Sequence, residues 1–455
     1  MRDLLVTAVI FSLLPLCFLR PWMGVLVWSW IGYMNPHRLC WGFAAEFPFA
    51  EIVAIAILAG LPFCRDMQAL PRRREVYLIL ALWLVFFLST VTGAIHPADA
   101  WMQLGKVSKI FAMTFVTLLL FQDMRRVRLL IWVIALSIGF FGIKGGIWTL
   151  ATGGHDQVLG PEGTFLGSNT HLGVALNMVL PMLVLLRRDS TRPWVRHFLL
   201  LASGCTAIAI VGTYSRGAFL GLIAVSVFLL LKSRGRLVAL VTLLMFCLLV
   251  TAAVPEKWFN RVETIETYQQ DESANSRFQS WYVSYRLALD HPFLGAGFRP
   301  FSSEIYEHYI PGYWDRGHDA HSIVFQVLAE HGFTGLTLYL SLIISTLLSL
   351  RRIREAARKR DNPQIENYAS MLEVGIMGYL VDGSFNSLSY FDLFYHFIAI
   401  TVILWGLVSR EVVAVGMQQV EDGRGLQGAD SRPIGVRVAA ASASHLAAGP
   451  RKVRV

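Results

Sequence analysis

Charged residues are scarce in this sequence. Asp, Glu, Lys and Arg make up 16% of the 455 residues, against about 25% in soluble globular domains, which argues against an ordinary water-soluble domain. Cysteine is scarce too, with five residues (Cys17, Cys40, Cys64, Cys205, Cys247) that lie mostly inside apolar runs. No CxxC pair or His/Cys spacing accompanies them, so neither a disulfide framework nor a zinc site is expected. No repeat recurs at a fixed period, which leaves solenoids and inverted halves unsupported. The N-terminus runs from Met1-Arg2-Asp3 through apolar residues to Leu19 without a small-residue cleavage site and continues into Arg20-Pro21-Trp22. It reads as a first membrane segment that stays.

What the chain has instead is apolar length. Hydrophobic residues make up 55% and mean hydropathy is +0.52, gathered into runs of about 15 to 25 residues between short polar clusters, the pattern of hydrocarbon-spanning helices. Spans are expected near 4–19, 22–34, 48–63, 76–95, 108–121, 128–150, 168–186, 197–213, 217–232, 237–254, 321–349, 367–387 and 391–409. The first two are short for a bilayer core of roughly 30 Å. The fold expected is all-α and polytopic, with about 12 transmembrane helices.

Sidedness follows from Lys and Arg, which are retained on the cytoplasmic side. Basic loops at Arg65 with Arg72-Arg73-Arg74, Arg125-Arg126 with Arg128, Arg187-Arg188, Lys232 with Arg234, and Arg351 to Arg360 alternate with basic-poor ones. The net charge of +9 therefore reports first on orientation and anionic headgroups, and nucleic acid is not an expected partner. Four regions result: N-terminal membrane helices at 1–254, a long periplasmic loop with short helices at 255–320, C-terminal membrane helices at 321–409, and a disordered cytoplasmic tail at 410–455. The long loop is rich in aromatics, among them Trp258, Tyr268, Phe278, Trp281 and Tyr306, and this argues for function over disorder.

Several polar islands on the non-cytoplasmic side can carry chemistry. Gly212-Thr213-Tyr214-Ser215-Arg216-Gly217-Ala218 places one arginine between two apolar runs, where it either snorkels to the interface or binds an anion. Arg277 and Arg286 sit in an amphipathic stretch, and Asp290 through Phe298 reads as a turn rather than a phosphate loop. His318, Asp319 and His321, followed by Glu330-His331-Gly332, lack the His-Glu-x-x-His pattern, so no metal ligands are expected. A histidine opening a membrane helix is instead placed to accept a proton near neutrality, or else simply packs there. Lys144 interrupts an apolar run between glycines, and Asn169 opens another helix after a turn-rich loop. Asp382 and Asp392 flank the last turn on this side and can pair with a cation or hold an arginine in place.

Taken in order, these segments resemble the O-antigen ligase and O-antigen polymerase superfamily of polytopic membrane glycosyltransferases. The resemblance is carried by Gly163-Thr164-Phe165 with Asn169 and Leu180-Pro181, by Tyr214-Ser215-Arg216-Gly217-Ala218, by Arg277 with His291-Pro292-Phe293-Leu294-Gly295, and by His321 with Glu330-His331-Gly332-Phe333-Thr334-Gly335. Arg20-Pro21-Trp22, Tyr33 through Arg38, and Gly142-Ile143-Lys144-Gly145-Gly146 resemble more narrowly the O-glycosylation ligases associated with exosortase systems. The chain departs from the common pattern at Ser322, where an Asn often follows the histidine.

That resemblance implies a GT-C-like architecture in the bacterial inner membrane with a periplasmic active site. It implies en bloc transfer of a glycan from undecaprenyl pyrophosphate to a hydroxyl of lipid A-core or protein, as in lipopolysaccharide biosynthesis, with no cofactor. His321 would be the general base, Arg216 and Arg277 the pyrophosphate ligands, and direct displacement would invert the anomeric centre. Supporting roles in binding fall to Lys144, Asn169, Tyr214, Ser215, Arg38, Lys106, Arg299, His318 and Asp392, with Lys109 beside them. A polymerase using the same donor is the nearest alternative. A lipid-linked glycan transporter or flippase would instead require charges lining a midplane path.

Overall fold

The structure, a computed structural model, describes residues 1–232, 272–313 and 317–421. Its helices are α1 (Arg2–Leu19), α2 (Pro21–Met34), α3 (Phe49–Gly60), α4 (Arg74–Gly93), α5 (Pro97–Leu120), α6 (Met124–Ala151), α7 (Asn169–Asp189), α8 (Pro193–Gly212), α9 (Arg216–Leu231), α10 (Glu272–Asp290), α11 (Ser303–Tyr309), α12 (Ile323–Arg358), α13 (Pro363–Gly383) and α14 (Asp392–Glu421). No strand occurs among the described residues. Met1–Val408 form one compact unit and Ser409–Val455 a second, described only as far as the end of α14.

Helix starts follow local chemistry. Asp123 accepts the Arg126 N–H at 2.8 Å, Ser168 the His171 N–H at 3.1 Å and Ser215 the Ala218 N–H at 3.2 Å, each satisfying a donor that the first turn leaves open. Proline occupies the first turn of α2, α5, α8 and α13, where its missing N–H does no harm.

Among the described residues, eight helices are long and apolar enough to cross a membrane: α1, α4, α5, α6, α7, α8, α12 and Asp392–Arg410 of α14. The chain is an all-α polytopic membrane protein, but the expected count of about 12 spans is not supported. At 14, 12 and 16 residues, α2, α3 and α9 are too short, and α13 carries Glu366, Glu373 and Asp382. The span expected near 237–254 lies outside the described residues. Helix α5 begins at Pro97 rather than near 108, so Lys106 is helical. The basic stretch expected as a loop from Arg351 continues α12 as far as Arg358. Helix α14 likewise runs past 410 to Glu421, where a disordered tail was expected to have begun; the rest of that tail lies outside the described residues.

The interior is organised around α7 and α14, each with 78% of its apolar window buried, whereas α1 has 11% and faces outward. Phe394 of α14 stacks on Tyr379 of α13 at 4.7 Å, Tyr395 meets Phe111 of α5, and His396 accepts or donates a 2.7 Å hydrogen bond with Tyr33 of α2. Helices α6 and α8 approach closely because Gly142 and Gly146 leave room: a Cβ on them would lie 2.4 Å from Thr206 Oγ1 and 2.2 Å from the Cys205 carbonyl oxygen. Cys17, Cys40, Cys64 and Cys205 are free thiols; Cys247 lies outside the described residues.

One break in this helical frame fixes the site's position. Gly332 has φ 64° and ψ −167° inside α12, a conformation open essentially to glycine alone. The turn 291–297 lies against this break: Ala296 N–H donates to the Ala329 carbonyl at 3.0 Å, Gly297 N–H to Glu330 at 2.9 Å, and Phe333 N–H to Pro292 at 2.8 Å. Glu330, buried, accepts from the Arg299 N–H at 3.1 Å and from the Tyr390 hydroxyl. Two segments whose paired residues lie 33 to 41 positions apart in the chain are thus locked by their backbones. Gly332→Ala is expected to destabilise the protein by more than about 2 kcal/mol, because its Cβ would also lie 2.6 Å from the Pro292 carbonyl oxygen. Thermal unfolding in detergent checks this.

Candidate active site

Three loops converge where α7, α9 and α12 begin. The loop before α7 is tied to the turn before α9 by Gln157 Nε2 and Asn169 Nδ2, both donating to the Thr213 carbonyl at 2.9 Å, and by the Val158 N–H to Gly212 at 2.9 Å. Tyr214 adopts a left-handed φ of 56° and its hydroxyl reaches the Gly154 carbonyl. That strained residue turns the chain so that Ser215 caps α9 and Arg216 stands at its first position. A cation at the positive end of a helix is electrostatically unfavourable by itself and favours an anion alongside it.

His321 lies just before α12 with φ 48°, half-buried, its N–H donated to Ser387 Oγ at 2.8 Å. Ser387 belongs to the turn between α13 and α14. The same turn supports α9: a Cβ on Gly217 would lie 3.1 Å from Asp382 Oδ1 and 3.2 Å from Phe385 Cβ. Asp382 is fully buried, accepting from Asn177 Nδ2 at 3.1 Å and Asn386 Nδ2 at 2.9 Å, while Asn177 Nδ2 also reaches the Ala218 carbonyl at 2.9 Å. Gly217, the residue after Arg216, and His321 are therefore both held against one short turn.

Burial lowers the His321 basicity below the ordinary histidine range; the Arg277 guanidinium lowers it further, Asp319 opposes the shift, and His318 and His171 add to it. Arg277 of α10, His171 in the first turn of α7, and Asp319 are thus groups of other segments or neighbouring positions whose charge acts on the His321 imidazole. The His318 ring centroid is 6.3 Å from that of His321, and its carbonyl accepts from the Tyr306 hydroxyl at 2.9 Å. Removing the Ser387 hydroxyl frees the His321 backbone without opening a large void. Ser387→Ala is therefore expected to lower turnover roughly tenfold while shifting stability by no more than about 1.5 kcal/mol, read from kcat and a melting curve.

Residues 198–340 match the family model of the O-antigen ligases. That match, over 143 of the 455 residues, supports a place for the chain in the O-antigen ligase superfamily. A second model, of a family of unknown function, matches residues 1–191, and no curated protein matches the chain. The matched domain supports a membrane enzyme of the O-antigen ligase and polymerase type, a family that implies lipid-linked glycan substrates. Arg216, Arg277 and His321 all fall within the O-antigen ligase match. Asp382 and Ser387, which hold the turn beneath them, fall outside it.

The supporting residues divide. Asn169, Tyr214 and Ser215 build the arginine turn, and Arg38 joins them at one remove, its guanidinium 3.2 Å from where a Cβ on Gly163 would stand. Arg299 lines a neighbouring cavity with Asp319. Lys144 is exposed on α6, and its neighbouring glycines are explained by the packing against α8. Lys106 is exposed on α5, where Lys109 pairs with Glu51 of α3 at 2.5 Å. Asp392 is buried beside Gly32 of α2, and the amides of Asn177 and Asn386 are the hydrogen-bond partners of Asp382. His331 is buried against Phe86 at 4.1 Å and Phe298 at 4.5 Å, with Nε2 2.9 Å from the Tyr390 hydroxyl, so it serves packing. No group of three or more potential metal ligands occurs among the described residues. Sequence reasoning missed His171, Ser387, Asn177 and Asn386, which are small or common polar residues with no local pattern to mark them.

Proposed function

We propose that this O-antigen ligase superfamily member transfers a glycan en bloc from undecaprenyl pyrophosphate to an acceptor hydroxyl, of lipid A-core sugar or protein, at the periplasmic face of the bacterial inner membrane. What supports the reading is that one turn meets both His321, through Ser387, and Gly217, the neighbour of Arg216, while burial and Arg277 lower the basicity of the half-buried histidine and so favour its neutral form. A neutral imidazole accepts a proton; an imidazolium does not.

The chemistry balances with these groups alone. The imidazole removes the acceptor hydroxyl proton as that oxygen attacks the anomeric carbon from the face opposite the leaving group. The anomeric carbon–oxygen bond breaks and undecaprenyl pyrophosphate departs with the electron pair. Arg216 and Arg277 neutralise the charge that builds on it through charge-assisted hydrogen bonds, strongest where water is excluded. The product has inverted anomeric configuration. Mass spectrometry of lipid A-core, envelope proteins and free glycan from cells lacking this chain tests the reading. Loss of glycan from lipid A-core or protein supports it, and shortened chains on an otherwise modified acceptor favour a polymerase instead.

A further inference from the structure

A cavity of about 520 Å³ reaches Asp319, two residues before His321, and is lined by His96, Asp99, Arg299, Phe301, Ser302 and Asp319. Its size is that of a small-ligand pocket, for which volumes run roughly 300–1,000 Å³. Three anchored segments build it. The Ile95 N–H donates to the Ala296 carbonyl at 3.0 Å, fixing the start of α5 to the 291–297 turn. The Arg299 N–H is held by Glu330, and the backbone at Gly317 packs so closely on Ser302 that a Cβ would lie 2.6 Å from the Ser302 carbonyl carbon. The walls are therefore formed before any ligand arrives.

The lining has the chemistry of a sugar site. Asp99 and Asp319 can each accept hydrogen bonds from neighbouring hydroxyls, Ser302 can give or accept one, and half-buried Phe301 offers an apolar face to a pyranose ring. His96 Nε2 has no hydrogen-bond partner among the described residues, leaving one more polar atom for a ligand. Among the described lining residues, two carboxylates against one guanidinium give an excess of one negative charge, which disfavours pyrophosphate and other anions. Asp319 is two residues from His321 and acts on it electrostatically, which ties this cavity to the segment that carries the imidazole.

We infer that this cavity is the acceptor subsite and takes an uncharged hexopyranose, with Asp99, Asp319 and Phe301 selecting it. The inference rests on the transferase reading and adds where the acceptor sits and what charge it carries. Asp99 and Phe301 are recognition residues distant from the bond being made.

The test uses the full chain in proteoliposomes and saturation-transfer NMR with methyl α-glycosides of glucose, galactose, mannose and glucuronic acid. At least one neutral pyranoside is expected to bind, with affinity falling roughly tenfold or more in Asp99→Ala and Phe301→Ala and unchanged in Arg216→Ala. Asp99→Asn, which keeps the shape, separates lost recognition from misfolding. Absence of binding by every neutral pyranoside, equal binding of the glucuronide, or binding that survives Asp99→Ala overturns the inference. In the transfer assay Asp99→Ala should raise the acceptor KM roughly tenfold and leave the donor KM unmoved. An unmoved acceptor KM sinks the subsite while the transferase reading stands, whereas a pyranoside that binds a wild-type protein without transfer activity sinks the transferase reading.

Discussion

His321→Ala is expected to lower glycan transfer by about 10²–10⁴-fold, the contribution of a positioned general base. The effect should fall on kcat, because the imidazole acts on a proton in flight and adds little to ground-state binding. Folding should survive, since the side chain is half-buried and the Ser387 contact is made by the backbone N–H. The left-handed φ of 48° is easier for asparagine than alanine, so His321→Asn is the cleaner control, equally inactive and closer to wild type in stability. The pH profile carries the same claim. Only the neutral imidazole works, so activity rises with pH through the histidine's own titration. Because burial and Arg277 depress that titration, the acidic limb lies below the ordinary histidine value of about 6.5. Removing the Arg277 charge moves the limb to higher pH, and Asp319→Asn, which removes the opposing charge, moves it lower.

The second large effect belongs to the arginines. Arg216→Ala is expected to slow transfer by about 10²–10³-fold, the loss seen when one preorganised donor to a developing negative charge is removed. Helix α9 should not suffer for it, because a cation at a helix N-terminus works against the macrodipole, and stability should change by no more than about 1 kcal/mol. Arg216→Lys should recover only part of the rate, since an ammonium restores charge without the planar fork that grips a phosphate in two places. A fully active Arg216→Ala protein would remove this residue from the chemistry. Initial rates with saturating donor, paired with melting curves of the same preparations, separate the two outcomes.

Much of this arrangement was legible in the residues. Apolar runs located most helices, and their polar interruptions marked the residues proposed for the site, because Tyr214 through Arg216 and His318 through His321 are the places where a membrane chain departs from its own composition. The turn at 291–297 was recognisable from its proline and glycines. What the sequence could not show was that this turn serves the break at Gly332, since the partners are far apart in the chain and meet through backbone atoms. Lys144 shows a related limit: its flanking glycines suggest close backbone approach or a broken helix, and only the structure makes α8 the close neighbour. Span counting failed where length and apolarity diverge: α2, α3 and α9 are apolar but short, while α13 is long but carries Glu366, Glu373 and Asp382. The buried Asn177–Asp382–Asn386 chain shows the limit of pattern reading, because three ordinary polar residues acquire meaning only when α7, α9 and α13 come together.

The most direct measurement is reconstitution of the purified chain in liposomes carrying an undecaprenyl-pyrophosphate-linked glycan, with lipid A-core or candidate protein supplied as acceptor. The predicted result is glycan on the acceptor in inverted configuration with stoichiometric release of undecaprenyl pyrophosphate, both lost together in His321→Asn and Arg216→Ala. Transfer that persists at the wild-type rate in those two variants would contradict the account.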